Sequence, residues 1–99
     1  MLTLDVDMKE MRNMVRVTGK YLDAELEDLQ NAFLMDLSRA GVNTIPDDMF
    51  LVKACLRCYL RWQQNYNGEA ERYERSYKEL RDALSLASEY KGGGYDGDE

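Results

Sequence analysis

Cys55-Leu56-Arg57-Cys58 spells C-x-x-C, the spacing of a dithiol redox pair or of half a zinc site. A redox pair of this kind follows a strand and opens a helix; this one lies inside the apolar sector of a helical stretch. Zinc would need two more thiolate or imidazole ligands, and the chain has two cysteines and no histidine. Cys55 and Cys58 therefore read as two core thiols. The lack of histidine also excludes Ser–His and Cys–His catalysis, and Ser38, Ser76, Ser85 and Ser88 have no base in sequence reach. The carboxylates fall at helix starts and on helix exteriors, where dipole partners and solvated faces account for them. Gly92–Gly94 has no strand before it and no helix after it, so it is not a phosphate loop. This inventory points away from an enzyme and offers no site for a cofactor or a metal.

The charges are more informative. Lys53, Arg57 and Arg61 stand at i, i+4, i+8 and form one basic ridge; Lys9, Arg12 and Arg16 form another. Glu25, Glu27, Asp28 and Asp36 make an acidic outer side on the preceding helix. Such ridges are ordinarily solvated. They can also pair with the acidic side, either inside the bundle or on a neighbouring subunit; between subunits the match is head-to-tail and closes into a ring when the rotation permits. Reversing Arg57 and Arg61 is then expected to weaken assembly more than folding. Leu34 and Met35 point away from the core stripe of their helix and are candidate partner contacts. Trp62, Tyr73 and Tyr77, at helical spacing, read as core rather than as a base-stacking platform.

The elements that carry these residues are helical. Asp47–Tyr66 steps at 100° per residue into a narrow polar sector of Lys53, Arg57, Arg61 and Gln64. Met49, Leu51, Val52, Cys55, Leu56, Cys58, Tyr59, Leu60, Trp62 and Tyr66 fill more than half of the circumference, the pattern of a central helix covered on two or three sides. Before it, Leu4, Met8, Met11 and Val15 predict a first helix near Asp5–Val17. Leu22, Leu26, Leu29, Phe33, Leu37 and Ala40 predict a second, from Leu22 or Asp23 to Ala40, with Asp23 as N-cap and Gly41 as left-handed terminator. Pro46, Asp47 and Asp48 suit the start of the central helix. Asn67-Gly68 turns the chain into a last helix from Glu69 to Ser88 or Tyr90. There Ala70, Tyr73, Tyr77, Leu80, Leu84 and Ala87 form the stripe, with Glu71/Arg75, Glu74/Lys78 and Lys78/Asp82 pairs outside. The expected fold is all-α: a compact bundle of about four helices, residues 1–90, with a central apolar third helix. Residues 91–99 form a flexible, acidic, glycine-rich tail, expected to be disordered in the isolated chain.

Ninety-nine residues suit one domain. The net charge of −6 at pH 7 opposes free binding to nucleic acid. Asp5, Asp7, Lys9 and Glu10 interrupt any apolar run at the N-terminus, so no signal peptide is expected. Two cysteines without one suggest free thiols in a reducing cytoplasm.

The pattern from Leu2 to about Tyr90 resembles the small head–tail connector proteins of tailed bacteriophages, also called DNA-packaging or head-completion adaptors. The resemblance is carried by Leu2-Thr3-Leu4 before a helix ending Arg16-Val17-Thr18, and by Leu22-Asp23 opening a second with Leu26, Leu29, Ala32, Leu37 and Ala40-Gly41-Val42. Asp47-Asp48, Leu51-Val52, Ala54 and Tyr59 follow, and then Glu69-Ala70-Glu71-Arg72-Tyr73, Tyr77, Leu80, Leu84 and Ser88-Glu89-Tyr90. Gly92–Glu99 lies outside the pattern. The resemblance implies a structural virion protein, made in the bacterial cytoplasm, without enzymatic activity or cofactor. It implies a ring, of twelve subunits when assembled, beneath the capsid portal protein. That ring contacts tail-side proteins and prolongs a channel through which DNA passes without sequence-specific binding, and no membrane is involved. The alternative is a small helical regulatory or protein-binding module of phage or bacterial origin. The candidate subunit and partner contacts are Arg12, Arg16, Glu25, Asp28, Leu34 and Met35, with Lys53, Arg57, Arg61 and Tyr90.

Overall fold

The computed structural model describes residues 2–45 and 50–87. Four helices follow in order: α1 Met8–Met14, α2 Asp23–Arg39, α3 Phe50–Gln63 and α4 Ala70–Leu86, with a 3₁₀ turn at Tyr66–Gly68 before the last. The chain is an all-α bundle, and α3 is its axis, packing against α1, α2 and α4. Val52, Cys55, Leu56, Tyr59 and Leu60 of α3 are buried. They meet Met11 and Val15 from the α1 region, Leu26, Phe33 and Leu37 from α2, and Tyr77 and Leu84 from α4. At the start of α3, Phe50 is 79% and Leu51 48% exposed. Pro46–Met49 lie outside the described residues, and so do Ser88–Tyr90 and the tail.

The first helix is shorter than its apolar stripe suggests. Asp7 is extended (φ −79°, ψ 167°) and its carboxylate accepts the Glu10 amide at 2.8 Å, an N-cap that starts the helix at Met8. Residues 2–6 precede the helix and bury Leu2 and Val6, so Leu4 is not on a helical face. At the other end Arg16 takes a left-handed backbone (φ 57°), and the Val17 amide returns to the Arg12 carbonyl at 2.9 Å.

Helix α2 keeps its expected bounds but not its expected cap. Leu22 is the N-cap, with no side-chain hydrogen bond, and Asp23 is the first helical residue, its carboxylate used elsewhere. Gly41 does terminate the helix at φ 100°. The Val42 amide reaches the Leu37 carbonyl at 3.0 Å and the Gly41 amide the Ser38 carbonyl at 3.1 Å, the paired bonds of a Schellman motif that also buries Val42 beside Leu37. A Cβ at Gly41 would meet no atom within 4 Å, so Gly41→Ala is expected to cost only the backbone strain, about 1–2 kcal/mol. Urea unfolding checks this, and an unchanged midpoint would contradict it.

Between α3 and α4 the chain reverses through two left-handed residues, Asn65 (φ 49°) and Asn67 (φ 55°), and Gly68 (φ 70°). The Asn65 side chain accepts the Ala70 amide at 3.2 Å, so it caps the start of α4. On α4, Lys78 pairs with Glu74 at 2.7 Å; Asp82 pairs with Arg81 rather than with Lys78.

Candidate functional site

Half of the two basic ridges is consumed inside the bundle: Arg12, Lys53 and Arg61. Arg12 grips Asp23 with two parallel bonds, Nε to Oδ1 at 2.8 Å and Nη2 to Oδ2 at 2.6 Å, and ties α1 to the first turn of α2. Lys53 Nζ reaches Glu10 at 3.0 Å and ties α3 to α1. Glu25 accepts the side-chain amide of Gln64, just beyond α3. For these charges the pairing inside the bundle is the one the fold uses.

The hydrogen bond from Arg12 holds the Asp23 carboxyl below the ordinary carboxylate range. A folded pKa below the unfolded one gives a contribution that is full above the unfolded value, near pH 4, and disappears as pH falls through the folded one. The stability difference between the wild type and Asp23→Asn is therefore expected to be constant above about pH 5 and to shrink below about pH 4. Denaturant titrations across that range check it, and a difference that ignored pH would contradict it.

Arg61 is an internal brace, which corrects its place in a solvent-facing ridge. Its Nε donates to the Met14 carbonyl at 2.7 Å and its Nη1 to the Tyr73 hydroxyl at 3.3 Å. Its guanidinium also lies 4.4 Å from the Tyr66 ring centroid and 5.5 Å from that of Tyr73. Geometry favours this because Met14 ends α1, where carbonyls lack helical partners and a cation is welcome.

Asp36 is likewise not part of an outer acidic side. It accepts the Tyr77 hydroxyl and, at 3.1 Å, Arg81 Nη1. Burial, reinforced by that carboxylate, pushes the Tyr77 hydroxyl above the ordinary phenol range, so the phenol stays protonated and donates. This triad joins α2 to α4 across an open cleft of about 330 Å³ that Trp62 and Tyr59 also line. Sequence reasoning missed it because Asp36 and Arg81 each sit beside a core stripe, where spacing does not say whether a polar group meets solvent or a neighbouring helix, and the long Arg81 side chain can turn either way.

Burial raises both thiols, Cys55 well above the ordinary range. Cys55 is buried with its Sγ 3.9 Å from the Tyr77 carbonyl. Neither is placed for redox chemistry, which needs a stabilised thiolate. Among the described residues no group of three or more His, Cys, Asp or Glu could hold a metal ion. No described helix is long and apolar enough to cross a membrane.

What remains is surface. Arg16 and Arg57 are exposed and, among the described residues, their side chains have neither hydrogen bond nor ion pair. They line an open groove of about 620 Å³ where α1 ends against α3, together with Arg61, Glu10, Asn13 and Thr18. Glu27 and Asp28 are exposed on α2, with no ion pair among the described residues. Leu34 is half-buried and packs on the core, so it does not point away; Met35 does, at 56% exposure. Together with Leu2, Asn31, Ser38 and Arg39 they line a second, apolar groove of about 430 Å³. Tyr90 lies outside the described residues. Compared with protein families, curated proteins and solved structures, the chain matches none of them.

Proposed function

We propose that the chain is a structural adaptor, one subunit of a ring that joins a tailed-phage capsid portal to the tail-side components and prolongs the DNA channel. It does this without catalysis. The observation that carries the reading is the sorting of charge. Half of these charged residues are spent inside the bundle, and the exposed remainder is of opposite sign on different elements: Lys9, Arg16 and Arg57 on or beside α1 and on α3, Glu27 and Asp28 on α2. Complementary patches on different parts of one subunit suit heterologous, head-to-tail contacts, the kind that build rings. The net charge of −6 suits a conduit that repels DNA rather than holding it. The resemblance of residues 2–90 to the small connectors supplies the place of that ring in the virion.

Light scattering on the protein alone and then mixed with its portal protein tests the reading. A monomeric or weakly associated chain at micromolar concentration, converted to a large complex by portal, is expected. A tight dimer that ignores portal would overturn it. The apolar groove at Leu34 and Met35 favours a second reading, a helical module that sequesters another protein. A gene among early or lysogeny genes would support that module, and one between the capsid and tail genes the adaptor.

A further inference from the structure

The arginine groove is a charge imbalance that the described residues do not resolve. Three guanidinium groups, Arg16, Arg57 and Arg61, converge on it, and the carboxylate that lines it, Glu10, is already engaged by Lys53 at 3.0 Å. The Arg16 and Arg57 guanidinium groups have no partner among the described residues; Arg61 uses Nε and Nη1 and leaves Nη2. The position of Arg16 is held by backbone bonds rather than by chance, since the Arg16 amide donates to the Asn13 carbonyl at 3.2 Å. Guanidinium groups collected in a groove recognise planar oxyanions bidentately.

We infer that this groove binds a carboxylate-rich peptide segment, and that its occupant is residues 95–99 of the same chain, Tyr-Asp-Gly-Asp-Glu. Charge and length support that choice. Asp96, Asp98 and Glu99 follow the last cation of the sequence, Lys91, and have no basic residue among them. In an extended segment Asp96 and Asp98 fall on one side roughly 7 Å apart. Arg57 and Arg61, one helical turn apart, have Cβ atoms about 6 Å apart, so two carboxylates meet two guanidinium groups in register.

The segment can also reach. The Cys55 thiol on the Tyr77 carbonyl sets the level of α3 against α4, which puts Arg57 opposite about residue 75. Ala87 is then roughly 18 Å further along the α4 axis. The nine residues from 88 to Asp96 span up to about 30 Å, enough to return that distance and cross the width of a helix. Gly92–Gly94 add length without side chains. Attachment to the same chain gives the segment an effective concentration in the millimolar range, above that of any other copy in a micromolar solution. The assignment concerns the isolated chain and does not depend on the adaptor reading; in a ring, carboxylates of a neighbouring subunit would displace the segment from the same arginines.

The test uses the full chain and a tail-neutralised variant, Asp96→Asn/Asp98→Asn/Glu99→Gln, compared by amide and arginine Nε resonances. Outside the substituted segment itself, differences between the two proteins confined to Asn13, Arg16, Arg57 and Arg61, and abolished at about 0.5 M salt, are expected. They should be the same in dilute and concentrated samples. A synthetic peptide of residues 92–99 should bind the neutralised variant at least about tenfold more tightly than the wild type, whose groove is already filled. That binding should be lost when Arg57→Glu is added with helicity retained. Identical groove resonances, or equal peptide affinity for both proteins, would overturn the assignment. Differences that grow with protein concentration would move the segment to another copy and overturn the same-chain occupant. Tighter binding of a duplex DNA probe than of the peptide would overturn the ligand class.

Discussion

Phe33→Ala is expected to lower the unfolding free energy by about 3–5 kcal/mol, the range for an aromatic ring removed from a core that cannot collapse around the gap. Phe33 is fully buried, and its ring centroid lies 5.7 Å from Tyr59 and 6.0 Å from Tyr77. Those two rings are 5.0 Å apart and each meets Trp62, at 5.7 and 5.8 Å. The cluster is where α2, α3 and α4 come together. Tyr77 cannot swing into the vacated space without breaking its hydrogen bond to Asp36, and rigid rings do not deform to fill a hole. A domain of this size is stable by some 5–15 kcal/mol, so the loss takes a large share. Urea unfolding of Phe33→Ala beside Met35→Ala checks it. The second variant removes a mostly exposed side chain and should change little, within about 0.5 kcal/mol. A loss below about 1 kcal/mol at Phe33 would mean that the aromatic cluster does not hold α2, α3 and α4 together.

The second large effect separates two neighbours on one helix. Arg61→Glu is expected to cost about 2–4 kcal/mol, because it removes two hydrogen bonds and a cation stacked 4.4 Å from Tyr66. It also leaves the Met14 carbonyl facing a carboxylate. Arg57→Glu, one turn earlier and exposed, should stay within about 0.5 kcal/mol of the wild type. If the ring reading holds, Arg57→Glu nonetheless weakens assembly on portal while the monomer keeps its stability. Thermal unfolding of the two single variants distinguishes them, and equal losses would remove the distinction between brace and surface cation.

That contrast also marks what the sequence made legible. Helices α2 and α4 are long, strongly periodic and ended by Gly41 or started by the Asn65 turn, so their existence follows from apolar spacing alone. Helix α3 is recognisable as the centre because its apolar sector is wider than one neighbour could cover. Helix α1 is different, since its stripe of Leu4, Met8, Met11 and Val15 continues through a segment that is not helical. The Asp7 cap, a local hydrogen bond, overrides the period there. The surface was the least legible part. Periodicity assigns a residue to a sector but does not say which polar groups meet across helices: Arg61 and Arg12 bend inward, and Asp36 is reached by Tyr77 and Arg81. Each finds a partner from a segment distant in sequence: Met14 for Arg61, Arg81 for Asp36, Asp23 for Arg12. Arg57, in the same sector as Arg61, faces no such partner and stays in solvent.

The central claim is that this bundle is a ring subunit whose exposed cations meet its neighbours. Imaging the protein in an assembled capsid–tail connector tests it most directly. Several copies around the DNA channel on the portal are expected, with Arg16 and Arg57 within reach of a neighbour's carboxylates at each subunit boundary. Absence of the chain from the connector, or a ring in which both arginines face open solvent, would contradict it.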